Sequence, residues 1–119
     1  MRITKTFSLV IGLIVIGLVI GITYAAEKTA AENYKQHCVK CHGEQGKGDG
    51  PATKTIKAMK MADWSSKEAM DKFKDEDLTK IIKQGGAAVN KSKIMPAYKE
   101  KMQDGEIKDM LSYIHSLAK

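Results

Sequence analysis

The sequence predicts an all-α fold, and three observations carry that expectation. Residues 75–86 read Asp-Glu-Asp-Leu-Thr-Lys-Ile-Ile-Lys-Gln-Gly-Gly: acids open the segment, Lys80 and Lys83 close it, and Leu78, Ile81 and Ile82 make one apolar stripe. That charge order complements the helix macrodipole, and Gly85 is a stop signal. From Asp104 onward, Ile107, Met110, Leu111, Ile114 and Leu117/Ala118 recur at helical spacing, with Tyr113 bordering the stripe, which predicts the best-formed helix of the chain. Elsewhere there is no credible run of strands, no internal repeat and no low-complexity tract.

The 119 residues suffice for one domain, but the first of them differ in kind from the rest. Arg2 and Lys5 form a positive start, Phe7 to Ile22 is an almost unbroken apolar run, and Thr23-Tyr24-Ala25-Ala26 follows. This is the layout of a secretory signal peptide, and cleavage after Ala25 puts Thr23 and Ala25 at the two small-residue positions. The rival is an uncleaved membrane anchor over residues 7–22, although its 16 residues fall short of the roughly 20 that a spanning helix takes. Either way the remainder crosses a membrane, so a periplasmic or otherwise extracytoplasmic location is expected. Residues 1–25 are thus read as signal peptide or anchor, and residues 26–119 as the domain. Cleavage leaves 94 of the 119 residues; it removes two basic residues and no acid, taking the formal charge from +6 to +4.

From Glu27 the chain turns polar. Lys28 to Gln36 is rich in Ala, Glu and Lys, with Ala30, Tyr34 and Cys38 spaced along one face, and reads as a short helix. Gly43 to Pro51 reads as loop, because four glycines in eight residues oppose a helix. It satisfies neither glycine-rich phosphate-binding pattern, and close backbone approach is the better account of it. Ala52 to Ala62 is mixed, and its Lys54, Lys57 and Lys60 read as a solvated basic face. Ala62 to Ser66 reads as a turn into residues 67–73, where a short helix is one option. Ala87 to Lys101 is weakly periodic and reads mostly as loop.

The chemistry is concentrated in Cys38-Val39-Lys40-Cys41-His42, which has the C-x-x-C-H spacing of a c-type haem attachment site. Two thiols three apart each add to one vinyl group of the same porphyrin, and the next residue brings an imidazole to the iron. A chance match, a redox dithiol and half of a zinc site are the alternatives. A dithiol of that kind belongs near a βαβ pattern, and a structural zinc site takes four ligands, for which this chain has no second cysteine pair. One covalent haem c with its iron is the cofactor expected, held by thioethers from Cys38 and Cys41. Its two ionised propionates would bring the net charge of the domain to about +2.

His42 leaves the iron a sixth position, and Met95 is the side chain assigned to it. A thioether raises the reduction potential by favouring ferrous iron. Pro96 biases Met95 to an extended conformation, in a loop from which its sulfur reaches across. Met59 and Met61 are the rivals, since their segment also has access to the far side of the haem; Met70, Met102 and Met110 read as packing residues. His37 and His115 read as partly exposed surface histidines. Trp64 reads as a core residue whose indole N–H wants a partner, with a haem propionate as one candidate.

The stretches Cys38 to Gly43, Gly46 to Ala52, Ile81 to Gly86, Met95-Pro96-Ala97-Tyr98 and Tyr113 to Leu117, in this order, resemble a small bacterial class I monohaem cytochrome c. The resemblance runs from about Tyr34 to Leu117. It implies an all-α fold of three to five helices around one covalent haem, with the N- and C-terminal helices crossing and Tyr34 and Tyr113 packed there. It also implies that the Pro51 carbonyl accepts a hydrogen bond from the second ring nitrogen of His42, and that Trp64 and Tyr98 lie near the propionates. Gly105 departs from the acid usual in the family and is expected to weaken the first turn of the last helix.

The function expected is extracytoplasmic electron transfer, the haem iron cycling between ferrous and ferric states, with no substrate bond made or broken and hence no enzymatic activity. A monomer is expected, with redox proteins as donor and acceptor and lysines steering an acidic docking surface; a solvated surface is the plain alternative for those lysines. No nucleic-acid partner is expected, and a membrane only if the N-terminal segment is retained. Two other functions stay open: a haem c subunit of a larger oxidoreductase, and a haem enzyme or gas-binding protein with a labile distal ligand.

Overall fold

A computed structural model describes residues 28–119; the expectations for residues 1–25 and the boundary at residue 26 lie outside the described residues. The order is α1 (Ala30–His37), α2 (Val39–His42), α3 (Ala52–Thr55), α4 (Lys67–Met70), α5 (Asp75–Gln84), a 3-10 turn (Gly86–Val89) and α6 (Asp104–Leu117). No strand occurs among the described residues. None of their helices is long and apolar enough to cross a membrane.

Both helices that frame the fold open on a reciprocal cap. At α1 the Glu32 backbone N–H donates to Thr29 Oγ1 (3.3 Å) while Glu32 Oε2 accepts from the Thr29 N–H (2.8 Å). At α6, Gln103 and Glu106 repeat the device, with the Gln103 N–H donating to Glu106 Oε2 at 2.9 Å. Each satisfies donors that the first turn would leave unpaired. This is why Gly105, whose Cβ position is open space, does not delay α6.

The two framing helices cross. Asn33, 2% exposed, donates from Nδ2 to the other oxygen of Glu106 (3.0 Å). Its neighbour Tyr34 meets Tyr113 two turns further along α6, with ring centroids 5.2 Å apart. Tyr34, Ile107 and Met110 are the largest fully buried side chains and mark the centre of the core. An asparagine at such a place is tolerable only because its amide is bonded.

Helices α5 and α6 run antiparallel, and each end is tied. Lys83 Nζ lies 2.8 Å from Asp104 at one end, and His115 Nε2 lies 2.7 Å from Asp75 at the other. Leu78 and Ile82 of α5 complete the core with Met102, Leu111 and Ile114. His115 is exposed as expected; its carboxylate partner was not legible in the sequence. The short helices α3 and the 3-10 turn fall in segments read as mixed or loop, because single turns leave no periodic signature.

Candidate haem site

Helix α2 is one turn long, and it carries the attachment motif. Cys38 is its N-cap, and the His42 N–H closes the turn on the Cys38 carbonyl at 2.8 Å. Gly43 ends it with φ 79°. One turn therefore sets two thiols and an imidazole on a short rigid frame.

The frame is backed by the glycine loop. The Gly48 N–H donates to the His42 carbonyl (2.8 Å), and the Tyr34 hydroxyl donates to the Gly43 carbonyl (2.8 Å). Gly50 passes so close that a Cβ there would sit 2.5 Å from the carbonyl oxygens of Val39 and Lys40, so only glycine fits. This loop supports α2 from behind. It lines a separate polar hollow with Glu44, Lys47 and Asp49, and none of residues 43–58 lines the cavity that His42 faces.

That cavity has a volume of about 340 Å³. Cys38, Cys41 and His42 line one part of it, and Met95, Ile81 and Ile82 line another. Trp64, Tyr98, His37, Met59 and Met61 complete the wall. Burial sets the chemistry of the groups inside. It pushes the Cys38 thiol up to about 12, with Cys41 nearby adding to the shift. It lowers His42 to about 4, so the imidazole is neutral at physiological pH. A neutral imidazole is the form that ligates iron.

Residues of this kind fit a covalently held haem. The wall is largely aliphatic and aromatic, the thiols stand together at its edge, and the buried His42 Nδ1 has no hydrogen-bond partner. The expected bond from that nitrogen to the Pro51 carbonyl is not made. Pro51 is exposed, heads the single turn α3 and accepts instead from the Lys54 N–H at 3.3 Å. The His42 ring rests on Trp64, with centroids 4.1 Å apart and planes 20° apart. Trp64 is 7% exposed, and its backbone N–H donates to the Gly46 carbonyl at 2.6 Å.

Met95 is half-buried and stands in irregular backbone, as its place before Pro96 predicts. The segment is stitched to the end of α5: the Gly86 N–H donates to the Met95 carbonyl (3.1 Å), and the Tyr98 N–H to the Ile82 carbonyl (2.9 Å). Gly85, at φ 83°, makes room, since a Cβ there would lie 2.9 Å from the Met95 carbonyl oxygen. The Tyr98 hydroxyl donates to the His37 carbonyl at 3.1 Å, a bond that sequence reading missed. His37 is half-buried, its ring edge-on to Tyr98 with centroids 5.5 Å apart.

The family model for cytochrome c matches residues 28–118. The chain belongs to the cytochrome c family. Membership carries covalently bound haem c with its iron, haem-based electron transfer and redox partners in general. In this cytochrome the solved structure of the KustC0563 c-type cytochrome finds a fold match: the TM-score is 0.59 at 23% identity, over 77% of this chain and all of the other. At that identity the likeness shows the fold. No curated protein matches the chain in sequence. The cytochrome thus has the small class I-like, all-α architecture that its motifs predict.

Proposed function

We propose that this cytochrome is an extracytoplasmic electron carrier with a single haem c, attached through Cys38 and Cys41 and ligated by His42 and Met95. One observation carries the reading: the two thiols, the imidazole and the Met95 side chain line one largely apolar cavity. The haem supplies one-electron chemistry when bound. The chain's own residues would surround it with a largely apolar wall, offer it the neutral His42 imidazole and offer it the Met95 thioether. Two protein ligands leave an exogenous molecule no free position, which supports a carrier over an enzyme. Lys60 and Lys91 are exposed at the cavity rim and support an acidic docking surface on donor and acceptor proteins.

Intact mass under denaturing conditions tests the attachment, because one porphyrin must remain on the chain. The same measurement on membrane and soluble fractions reads whether the N-terminal segment is cleaved after Ala25 or kept as an anchor. Met95→Ala should lower the reduction potential and admit carbon monoxide to the ferrous protein. An unchanged optical spectrum in that variant would move the ligand to Met59 or Met61, which line the same cavity. Rapid carbon monoxide binding by the unaltered protein at neutral pH would sink the carrier reading.

A further inference from the structure

The two halves of the cavity wall come from distant parts of the chain. Cys41 and His42 belong to α2 and Cys38 caps it, while Met95 lies in a segment that hangs from α5. One side-chain hydrogen bond joins the halves directly. The Tyr98 hydroxyl, three residues after Met95, donates to the carbonyl of His37, the residue before Cys38, at 3.1 Å.

Tyr98 is unusually placed for this. It is 8% exposed, so its hydroxyl has little water to turn to, and its backbone N–H is fixed on Ile82. Its ring meets the His37 ring edge-on, and Lys101 Nζ stands 5.6 Å from its centroid. A side chain held by backbone, ring and hydroxyl at once acts as a strut between the elements it touches. Its length sets how far the Met95 segment stands from the turn that bears the cysteines.

We propose that Tyr98 is a positioning residue: through its bond to the His37 carbonyl it holds the Met95 thioether over the attachment turn. The inference rests on the assignment of Met95 as iron ligand. Losing the bond lets the Met95 segment move away, so an outside ligand competes more easily for the position.

The test is imidazole titration of the ferric holoprotein, with reduction potential as a second reading. Tyr98→Phe removes the hydroxyl and leaves the ring and the backbone bond. A net hydrogen-bond contribution of the usual size predicts imidazole binding tightened about two- to tenfold, with a lower potential. Ile107→Val, in the core and away from the cavity, should destabilise the protein while leaving imidazole affinity unchanged. Met95→Ala calibrates the fully open site. If Met95→Ala opens the site and Tyr98→Phe leaves imidazole affinity unchanged, the strut is refuted and the ligand stands. If Ile107→Val tightens imidazole as much as Tyr98→Phe does, the effect is general destabilisation and the inference fails. If Met95→Ala changes neither spectrum nor imidazole affinity, the ligand assignment falls and the inference with it.

Discussion

The indole of Trp64 lies face to face with the imidazole of His42, with centroids 4.1 Å apart and planes inclined by 20°. The contact shields one face of the histidine ring and fixes its plane. Trp64→Ala should cost about 3–5 kcal/mol, the usual range for emptying a buried aromatic site. Trp64→Phe keeps a stacked ring and should cost clearly less. Denaturant unfolding of the two holoproteins checks the order, and equal losses would show that the ring contact contributes nothing.

Gly85 is a position where the Met95 segment tolerates no side chain without strain. At φ 83° and ψ 166° it occupies backbone space essentially reserved for glycine, and a side chain there costs about 1–3 kcal/mol. The added Cβ also crowds the Met95 carbonyl at 2.9 Å. Gly85→Ala should therefore lower both the unfolding midpoint and the reduction potential. A stability loss with an unmoved potential would separate the helix end from the proposed ligand.

Acid should loosen the crossing of α1 and α6. The Gln103 backbone N–H, and then the Asn33 amide, hold the Glu106 carboxyl below its ordinary 4.5. The Thr29 backbone N–H and then its hydroxyl do the same for Glu32. A carboxyl with a depressed folded pKa contributes stability that is present above its unfolded value and is lost as pH falls through the folded one. Stability should thus decline below about pH 4.5 from these groups, and Glu106→Gln should flatten that decline. Equal acid slopes for variant and parent would contradict the assignment.

The ties between α5 and α6 should contribute little. Asp104 and His115 are exposed, and ion pairs of that kind are typically worth about 0–1 kcal/mol and are screened by salt. A double-mutant cycle on Lys83 and Asp104 should give a coupling within that range that fades at high ionic strength. A coupling of about 3 kcal/mol or more would place the pair with buried ones.

The parts legible in the sequence were those that repeat a local rule. Helices α5 and α6 declared themselves by charge order and apolar stripe, and the motif from Cys38 to His42 by spacing. The start of α6 was legible near Asp104, whereas the Thr29-x-x-Glu32 capping box that opens α1 was overlooked although the sequence has its form. What stayed hidden depends on residues far apart in the chain. Nothing near Asn33 announces that it will be buried against Glu106, and nothing near Trp64 announces a histidine 22 residues upstream beneath its ring. The Pro51 carbonyl is a related case: it accepts from the Lys54 N–H of its own turn at 3.3 Å, and His42 Nδ1 is left without a partner.

The stretch from Gly86 to Met95 closes on itself. The Gly86 N–H meets the Met95 carbonyl at 3.1 Å, and the Lys91 N–H meets the Gly86 carbonyl at 2.8 Å. Its neck is fixed, while its tip, Asn90 to Ile94, is exposed. Lengthening such a loop costs only about 0.6 kcal/mol per doubling of length. Evolution or an engineer can therefore rewrite the tip, and with it the rim that a partner meets, while the residue at the neck keeps its place. If Met95 is the ligand and the tip meets a partner, as proposed, the two can be altered independently.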